Sequence, residues 1–552
     1  MKQTPILFAL VCLLVISACQ QQDQKVNDAD AVAAINAESF KHNVSVLASD
    51  SFMGRKPFTK GEALTVEYLQ DQFKQVGLEP GNGNSYVQEV PMVNILAKAA
   101  PTMQVQSAKE KFELKAYDEY IIWTNKTDEK ISLDNTELIF AGYGVVAPEY
   151  NWNDYEGLDV KGKVVLVMVN DPGFWIGDTT LFKGKTMTYY GRWTYKFEEA
   201  ARQGAKGCLI IHNTEAAGYP FAVQQNIFNT GRLQLVSDSS GNANSDVIGW
   251  MTEATANKLF KAAGFDSTLL RKANTRGFKA VPLNLKASTS MSVTATYNKS
   301  YNVLGKITGS ERPEEVIIYT AHWDHFGIGK PDATGDSIYN GALDNATGTA
   351  GLIELAKAFK SLKSKPERTI IFLSVTAEEQ GLLGSAYYAD HPVFPAKNTV
   401  ANINIDGLNR FTRTRDMVVF GQGQSELEDY LQEELKKDSG YISFDAHPEA
   451  GYYYRSDHFN FAKKGIPALF ANYGSDMVGK GKAYGQQIED KYTAENYHQP
   501  SDEFDATTWT SEGAIQDLKL FFRLGKRLAF ESTWPQWKEG SEFKAIREQS
   551  KR

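Results

Sequence analysis

Cysteine is rare in this chain, with three among 552 residues: Cys12, Cys19 and Cys208. Cys12 and Cys19 lie in a leader-like N-terminal segment, so Cys208 is the one thiol expected in the folded part. A single thiol cannot form an intramolecular disulfide, which excludes a disulfide framework. Cys208 lies in an apolar run, residues 207–211, and this position predicts a buried, unreactive thiol rather than a nucleophile.

The chain also lacks a stripe rich in lysine and arginine, and its formal net charge is −8. Both observations argue against a nucleic-acid partner. Hydrophobic residues make up 42% of the chain and charged residues 23%, which is typical of a globular protein. Because a chain of 552 residues exceeds the size of one ordinary core, we expect two or more domains.

The N-terminal apolar run, residues 6–16, is too short to cross a bilayer as a finished helix. It follows a short basic start, and the pattern predicts a signal peptide over residues 1–18. The quartet Ile16-Ser17-Ala18-Cys19 resembles the bacterial lipobox, which implies cleavage before Cys19 and acylation of its thiol. An ordinary signal peptide cut after Ala18 is the alternative. Residues 19–30 are polar, as a lipidated flexible tether should be.

The residue after Cys19 bears on where an anchored chain would reside. Gln20 is not the aspartate that such lipoproteins use for retention in the inner membrane. We therefore expect an exported protein that is anchored to the outer membrane, on either its periplasmic or its surface face.

Two common hydrolase motifs are absent from the sequence. No His-Glu-x-x-His pattern is present, which excludes the helical one-zinc protease. No Gly-x-Ser-x-Gly pattern is present, which argues against a serine hydrolase.

Three blocks follow the tether. Residues 31–120 are helix-rich and include a predicted helix over residues 62–76 that Gly77 ends. Residues 121–296 contain short β-rich runs and are predicted to form a self-contained insert. Residues 297–535 are predicted to complete the catalytic domain that residues 31–120 begin, and residues 536–552 form a charged, peripheral tail.

Strands and helices alternate in the last large block. The apolar runs predict strands over residues 316–320, 369–376, 400–405, 417–420 and 468–471. Helices are predicted over residues 348–362 and from Ser425, where Ser425 and Glu428 match a capping box. This alternation predicts an α/β fold with a mainly parallel sheet that is covered by helices on both faces.

Candidate ligands follow successive strands of this block. His322 follows the first strand, Asp344 opens the next helix, the pair Glu378-Glu379 follows the second strand, and Asp406 follows the third; His498 comes much later. Each of these positions alone has an ordinary structural explanation. Since the carboxyl ends of parallel strands meet at one edge of a sheet, we expect the side chains to converge there.

The chemistry of this set favours a metal ion. Mixed imidazole and carboxylate ligands suit zinc, and open coordination positions would remain for water and substrate. Adjacent carboxylates such as Glu378 and Glu379 repel each other unless a cation lies between them or one is protonated. One is therefore expected to ligate the metal and the other to accept a proton beside it.

The motifs that carry these residues resemble those of the co-catalytic two-zinc exopeptidases, which include bacterial leucyl aminopeptidases, glutamate carboxypeptidase and transferrin receptor. The matching strings are His322-Trp323-Asp324, Gly341-Ala342-Leu343-Asp344-Asn345, Glu378-Glu379, Asn404-Ile405-Asp406, Ser456-Asp457-His458 and Tyr497-His498-Gln499-Pro500. Residues 154–164 resemble the protease-associated domain that is often inserted in such enzymes. The resemblance implies a zinc exopeptidase fold with an inserted β-rich protease-associated domain.

The resemblance also implies roles for individual residues. Two zinc ions would be bridged by Asp344, with His322 and Asp406 completing one site and Glu379 and His498 the other. Glu378 would be the general base, and Asp324 would orient the His322 imidazole. The implied function is an aminopeptidase that acts on peptide substrates.

Weaker assignments concern the surroundings of the site. Tyr453 is a candidate to hydrogen-bond the oxyanion, or it lines the cleft as an aromatic wall, and Asp457 is a candidate supporting carboxylate. Arg455 could meet a substrate carboxylate or pair with a neighbouring acid, and the second is the favoured expectation. His325 and His458 are expected to be structural or supporting residues rather than ligands.

Three alternatives differ from the aminopeptidase hypothesis. A carboxypeptidase would share the metal ligands, and an arginine cluster that grips a terminal carboxylate would mark it; Arg410, Arg413 and Arg415 are the candidates. A one-zinc glutaminyl cyclase would lack the histidine that is present here as His322. A non-catalytic, receptor-like binding protein would lack metal ligands, and every expected ligand type is present.

Overall fold

The computed structural model describes residues 29–236 and 244–550. The expected signal peptide and the lipidated Cys19 lie outside these described residues, together with most of the tether. Among the residues described, no helix has both the length and the apolar character needed to span a membrane.

The strands are β1 Glu79–Pro80, β2 Val87–Ala99, β3 Thr102–Gln106, β4 Lys111–Lys115, β5 Tyr120–Trp123, β6 Lys130–Phe140, β7 Val146–Ala147, β8 Trp152–Asn153, β9 Val164–Met168, β10 Gly207–His212, β11 Gly231–Leu235, β12 Val247–Thr252, β13 Val281–Ile307, β14 Arg312–His322, β15 Gly327–Ile328, β16 Ile338–Tyr339, β17 Arg368–Val375, β18 Thr399–Asn404, β19 Asp416–Val419, β20 Tyr441–Phe444 and β21 Ala468–Tyr473.

The α-helices are α1 Ala29–Ala34, α2 Ala37–Leu47, α3 Lys60–Val76, α4 Gly173–Ile176, α5 Trp193–Arg202, α6 Thr214–Ala217, α7 Ala222–Gln225, α8 Glu253–Ala262, α9 Thr268–Lys272, α10 Thr347–Lys360, α11 Leu383–Asp390, α12 Leu427–Lys436, α13 His458–Ala462, α14 Lys482–Glu495, α15 Glu512–Phe530 and α16 Lys544–Ser550.

A mainly parallel sheet organises the C-terminal part of the chain. Hydrogen bonding orders its strands β13, β17, β14, β18, β21, β19 and β20. The β13–β17 and β21–β19 pairs are antiparallel and the other four pairs are parallel. This architecture confirms the predicted α/β fold class.

Both faces of this sheet are buried, which explains why its strands are continuously apolar. Alternate residues of β14 pack on opposite sides: Ile317 and Tyr319 join one hydrophobic cluster, and Val316 and Ile318 join another. The first cluster contains residues of α2, α3, α10 and α15, and the second contains residues of α11 and α13. The central strands are therefore held between two helical layers, with their carboxyl ends at one edge.

A third, β-rich cluster runs from Val93 to Val293. Its largest pairing joins β2 to β13 in antiparallel register from Val87↔Val303 to Ala99↔Met291. The boundary that the sequence placed at residue 121 lies inside this cluster, because β2, β3 and β4 pair with β13 or with each other. The assignment of this β-rich part to the protease-associated domain stays a prediction.

Several local elements agree with the sequence, and one does not. Helix α3 ends at Gly77, which adopts a left-handed conformation with φ of 78°, as expected for a helix terminator. The helix expected to open at Ser425 begins at Leu427 instead. Glu428 accepts hydrogen bonds from the backbone N–H groups of Gly423, Gln424 and Ser425, so the glutamate half of the capping box is present. Within the described chain, no side chain caps the first N–H groups of the helix itself.

Cys208 is buried and free, which confirms the expected inert thiol. Burial raises the pKa of this thiol and suppresses the reactive thiolate.

Candidate metal centre

Three parallel strand ends place the predicted ligands at one edge of the sheet. His322 is the last residue of β14, and its neighbours β17 and β18 end just before Glu378-Glu379 and Asp406. The structure brings together all six residues predicted as ligands or general base. His322 Nε2 lies 3.1 Å from Oδ1 of Asp344 and 3.1 Å from Oδ1 of Asp406.

Asp344 stands between two groups of ligands. Its Oδ1 faces His322, whereas its Oδ2 lies 3.2 Å from Nε2 of His498. The same His498 nitrogen lies 3.4 Å from Oε2 of Glu379. Each carboxylate oxygen of Asp344 therefore belongs to a different imidazole–carboxylate group, and this arrangement suits two adjacent cations that share one bridging ligand.

The loop that carries Asp344 is fixed by side chains from elsewhere in the chain. The Asp502 carboxylate accepts hydrogen bonds of 3.1 Å from the backbone N–H groups of Leu343 and Asp344. Asn345 donates to the carbonyl of Ile405, next to Asp406. Through Asn345, the loop of Asp344 is joined to the segment that carries Asp406.

Glu378 and Glu379 point into the same group of side chains but have different neighbours. Ligand atoms of His322, Glu378 and Glu379 lie within 4.8 Å of one another. Asp324 accepts a 3.0 Å hydrogen bond from the backbone N–H of Glu378. His325 Nδ1 lies 2.6 Å from Oε1 of Glu379, which places His325 behind a ligand, within a possible ligand group that also contains Asp344.

Asp406 is supported from the other side of the site. The Ser456 hydroxyl donates a 2.6 Å hydrogen bond to its Oδ2. Asp457, the next residue, is buried and accepts a 2.5 Å hydrogen bond from the Ser385 hydroxyl, while its second oxygen has no partner among the described residues. Asp457 is thus held by Ser385, and its supporting role at the metal centre stays a prediction.

The electrostatics of the site call for positive charge. Burial raises the pKa of both Glu378 and Glu379 well above the usual range, although the charge of His322 opposes the shift. Burial alone would also raise the pKa of Asp344, but hydrogen bonds from His322 and His498 hold it well below its usual value. Carboxylates crowded into a buried cleft are stabilised by a cation, so the donor set fits metal ions.

Asp324 was expected to orient His322, and its geometry fits that role in part. His322 Nδ1 lies 3.2 Å from the backbone carbonyl of Asp324 and 3.8 Å from its carboxylate. The backbone carbonyl is thus the nearer acceptor, and the carboxylate mainly holds the Glu378 backbone.

A buried arginine ties the N-terminal segment to the site. Arg55 donates to the backbone carbonyls of Leu47, Trp323, Asn340 and Gly341. Its predecessor Gly54 has φ of +64°, and a Cβ there would lie 2.6 Å from two carbonyl oxygens. Only glycine fits this contact, so the turn that carries Arg55 depends on Gly54.

The side chain of Tyr453 packs in a hydrophobic cluster, and its suggested oxyanion role stays a prediction. Its ring packs edge-on against His458 and Tyr454 within a hydrophobic cluster, and its hydroxyl is buried without a hydrogen-bond partner in the described chain. The glycine at 421 lets the ring approach, since a Cβ there would touch it. The sequence pattern could not reveal which of three consecutive tyrosines turns inward.

Two of the three arginines considered as a carboxylate-binding cluster have different partners in the structure. Arg410 lies over the rings of Phe411, Tyr492 and Trp509, and Arg415 forms an ion pair with Asp476 at 3.2 Å. Arg455 was expected to pair with an acid, but it donates to the carbonyl of Ala450 and lies over the ring of Tyr452.

Several residues that the structure places at the site had no predicted role. Asp502 holds the Asp344 loop, Ser456 donates to Asp406, and the ring of Tyr497 stacks on His498 at a centroid distance of 3.8 Å. Ser456 and Tyr497 lie inside the quoted motifs, so their positions could have indicated that they lie near the ligands. Asp502 lies two residues past a motif and had none.

Comparisons with known proteins agree with this geometry. Residues 302–522 match the sequence model described as Peptidase family M28. A probable zinc metalloprotease of Leptosphaeria maculans is 38% identical over 114 residues, which are 21% of this chain and 26% of the relative.

Two longer matches have lower identity. Aminopeptidase YwaD of Bacillus subtilis is 27% identical over 335 residues, 58% of this chain and 57% of the relative. Carboxypeptidase Q of Xenopus laevis is 27% identical over 251 residues, 45% of this chain and 42% of the relative. The chain thus spans between about a quarter and somewhat over half the length of these curated relatives.

The family match covers the strands that carry His322, Asp344, Glu378, Glu379 and Asp406, as well as His498. It confirms the resemblance to the co-catalytic zinc exopeptidases that the motifs indicated. The match to Peptidase family M28 thus covers residues 302–522, the part of the chain that carries the candidate ligands.

Proposed function

We propose that this protein is a zinc-dependent aminopeptidase that removes N-terminal residues from peptides. The observation that carries the proposal is the division of Asp344 between two ligand groups, with Oδ1 facing His322 and Oδ2 facing His498. Asp406 completes the first group and Glu379 the second.

Two zinc ions fit these groups in number and in ligand type, because each group offers one imidazole and two carboxylates. When bound, zinc would polarise the scissile carbonyl and lower the pKa of a water molecule. The related sequences described as zinc metalloproteases support the choice of zinc over other divalent ions.

Glu378 is the residue left free to move a proton. Its carboxylate lies among His322 and Glu379, yet the other ligands complete both groups without it. Glu378 would accept a proton from the attacking water and deliver it to the amine nitrogen that leaves. The Asp324 carboxylate fixes the Glu378 backbone through its N–H and so keeps the base in place.

Two observations favour an aminopeptidase over a carboxypeptidase. Two of the three arginines that would have marked a carboxypeptidase have other partners, since Arg410 packs on aromatic rings and Arg415 pairs with Asp476. The match to the aminopeptidase of Bacillus subtilis also covers more of the chain than the match to carboxypeptidase Q.

The test combines metal analysis with a substrate panel. Wild type and Glu378→Gln would be measured for zinc content and for hydrolysis of aminoacyl-p-nitroanilides and their N-blocked counterparts. The proposal expects about two zinc ions per chain and cleavage of free but not blocked substrates. The variant should keep its zinc and lose turnover, because only the proton acceptor is removed.

Other outcomes point to the alternatives. Bound zinc with cleavage of C-terminal or blocked substrates alone would identify a carboxypeptidase. Absence of both zinc and hydrolysis would leave a receptor-like binding protein.

We also propose that the protein is exported and held at the outer membrane by a lipid on Cys19. The support is the leader pattern and the Ile16-Ser17-Ala18-Cys19 quartet. Incorporation of a labelled fatty acid into wild type but not into Cys19→Ser would be the expected result. Equal labelling of both would refute the anchor.

A further inference from the structure

A cavity of about 360 Å³ opens between the β-rich part of the chain and Arg455. Four aromatic side chains line it: Trp123, Trp193, Tyr219 and Trp250. They come from strands, helices and loops of the β-rich part. None of them belongs to the metal centre, so this cavity is a separate feature.

Three guanidinium groups line the same cavity: Arg192, Arg232 and Arg455. Arg192 Nε is shielded from solvent and has no hydrogen-bond partner in the described ranges. Arg232 lies over the ring of Trp123, 4.0 Å from its centroid, and Arg455 donates to a backbone carbonyl. In the described part of the chain, none of the three forms an ion pair with a carboxylate.

The arginines are close enough to act on one another. Burial, and then the neighbouring charge of Arg455, lower the pKa of Arg192 to about 10. Burial lowers the pKa of Arg232 to about 10 as well. Arg192 and Arg232 therefore keep their charge at neutral pH, so the cavity concentrates positive charge that an anion would stabilise.

Along the chain, Arg455 lies next to a residue that supports the metal centre. Arg455 directly precedes Ser456, whose hydroxyl donates to Asp406. Neighbouring Cα atoms are about 3.8 Å apart. The backbone of Arg455, which lines the cavity, is therefore one residue away from Ser456, which contacts the predicted ligand Asp406. A molecule that extends from the metal centre past residue 455 would meet the arginines.

The aromatic walls restrict the kind of anion. A small inorganic ion would use the charges but would gain nothing from three indole rings and a phenol. A carboxylate that is joined to an apolar or aromatic group would use both.

We propose that this cavity binds the free C-terminal carboxylate of short peptide substrates and packs its aromatic walls on the last side chain. The inference rests on the proposed peptidase function and names its substrate class: peptides short enough to reach from the metal centre to Arg192. An aminopeptidase cleaves at the other end of the peptide, so the C-terminal carboxylate stays on the longer product. Because only peptides of suitable length would reach both places, the cavity would select substrates by length.

Binding can be tested without turnover. Zinc-loaded Glu378→Gln would be titrated with a short peptide that ends in phenylalanine and with the same peptide as its C-terminal amide. Tryptophan fluorescence reports on the cavity through Trp123, Trp193 and Trp250. We expect the acid to bind about tenfold more tightly than the amide, since one charge-assisted hydrogen bond contributes about that factor.

Arg192→Gln in the same background should abolish the preference for the acid. Arg271→Gln is the matched control, because it removes an exposed arginine of α9 in the β-rich part and should leave the preference intact. Circular dichroism would confirm that both variants fold. In the otherwise wild-type enzyme, Arg192→Gln should raise KM about tenfold for the peptide acid and leave KM for an aminoacyl-p-nitroanilide unchanged.

Equal affinity for acid and amide would overturn the inference, as would a preference that survives Arg192→Gln. Inorganic phosphate that displaces the peptide acid at equal concentration would identify a simple anion site and also overturn it. Failure of the proposed function gives a different result: no hydrolysis of any p-nitroanilide by the wild type, whatever the binding titration shows.

Discussion

The carboxylate of Asp502 accepts a 3.1 Å hydrogen bond from the backbone N–H of Asp344, the residue that bridges the two ligand groups. A second bond of the same length comes from the N–H of Leu343. Asp502 therefore positions the backbone of the bridging ligand, and these two bonds involve no other ligand.

Asp502→Ala should weaken zinc binding about 10–100-fold, because it leaves two buried N–H groups unpaired and releases the loop. Competition with a chelator would measure the affinity. Asp505→Ala is the control, since this nearby carboxylate is exposed and bonds only within its own turn. Unchanged zinc affinity in Asp502→Ala would contradict the assigned role.

Adjacent glutamates should give opposite results when each is changed to glutamine. Glu379→Gln should lower the zinc content from about two ions to about one, because Glu379 belongs to only one ligand group. Glu378→Gln should keep both ions and lower kcat by about 10²–10⁴-fold, the usual contribution of a general base. Metal analysis and kcat on the same preparations distinguish the two, and a loss of zinc from both variants would refute the division of roles.

Gly54→Ala should destabilise the protein more than an ordinary glycine substitution at positive φ. A Cβ at Gly54 would lie 2.6 Å from the carbonyl oxygens of Gly327 and Tyr339. Gly83→Ala is the matched control, because Gly83 has φ of +57° with nothing within 4 Å. We expect a loss of about 1 kcal/mol for the control and about 2–4 kcal/mol for Gly54→Ala, measured by urea unfolding. Equal losses would mean that the contact relaxes.

The stability of the protein should depend on pH through Asp517. Burial raises the pKa of this carboxyl to about 8, while an unfolded aspartate titrates near 3.9. Between about pH 4 and pH 8 the folded state keeps a proton that the unfolded state releases. The contribution of Asp517 to stability is therefore present at low pH and is lost as pH rises through this window.

Asp517→Asn removes this titration and keeps an oxygen that can accept from the N–H of Asn409. At pH 8 the variant should be more stable than wild type, with Tm higher by roughly 2 °C or more. The difference should shrink toward pH 5, and both proteins would be kept metal-free with a chelator. Asp505→Asn, an exposed carboxyl whose pKa is lowered, should show no such gain. A gain that is independent of pH would contradict the assignment.

The strands of the catalytic sheet were predictable because both of their faces are buried. A continuous apolar run such as residues 316–320 has one plausible structure in an alternating α/β pattern, and β14 contains it. The ligands were predictable for the same reason, since they follow the ends of neighbouring parallel strands. Their positions after successive strands were enough to predict that His322, Glu378, Glu379 and Asp406 lie close together.

The supporting residues could not be predicted because their roles depend on contacts between distant segments. Asp502 acts on a loop 158 residues away, and nothing in its local sequence marks it. Tyr453 shows a second limit of the sequence, since a position in a motif does not determine which way a ring turns. Cavity residues such as Arg192 and Arg455 lie 263 positions apart by their numbers, and only the fold shows that they line one space.

The 27-residue strand β13 belongs to both halves of the molecule. Its first part pairs with β6 and β2 in the β-rich region, and its last residues pair with β17, which precedes Glu378 and Glu379. A bending or twisting motion of one half is therefore passed to the other through covalent backbone rather than through a flexible hinge. The two halves should respond to mechanical load and to heat as one cooperative unit. Excision of the β-rich half would remove most of β13, the strand that pairs with β17 at the edge of the catalytic sheet.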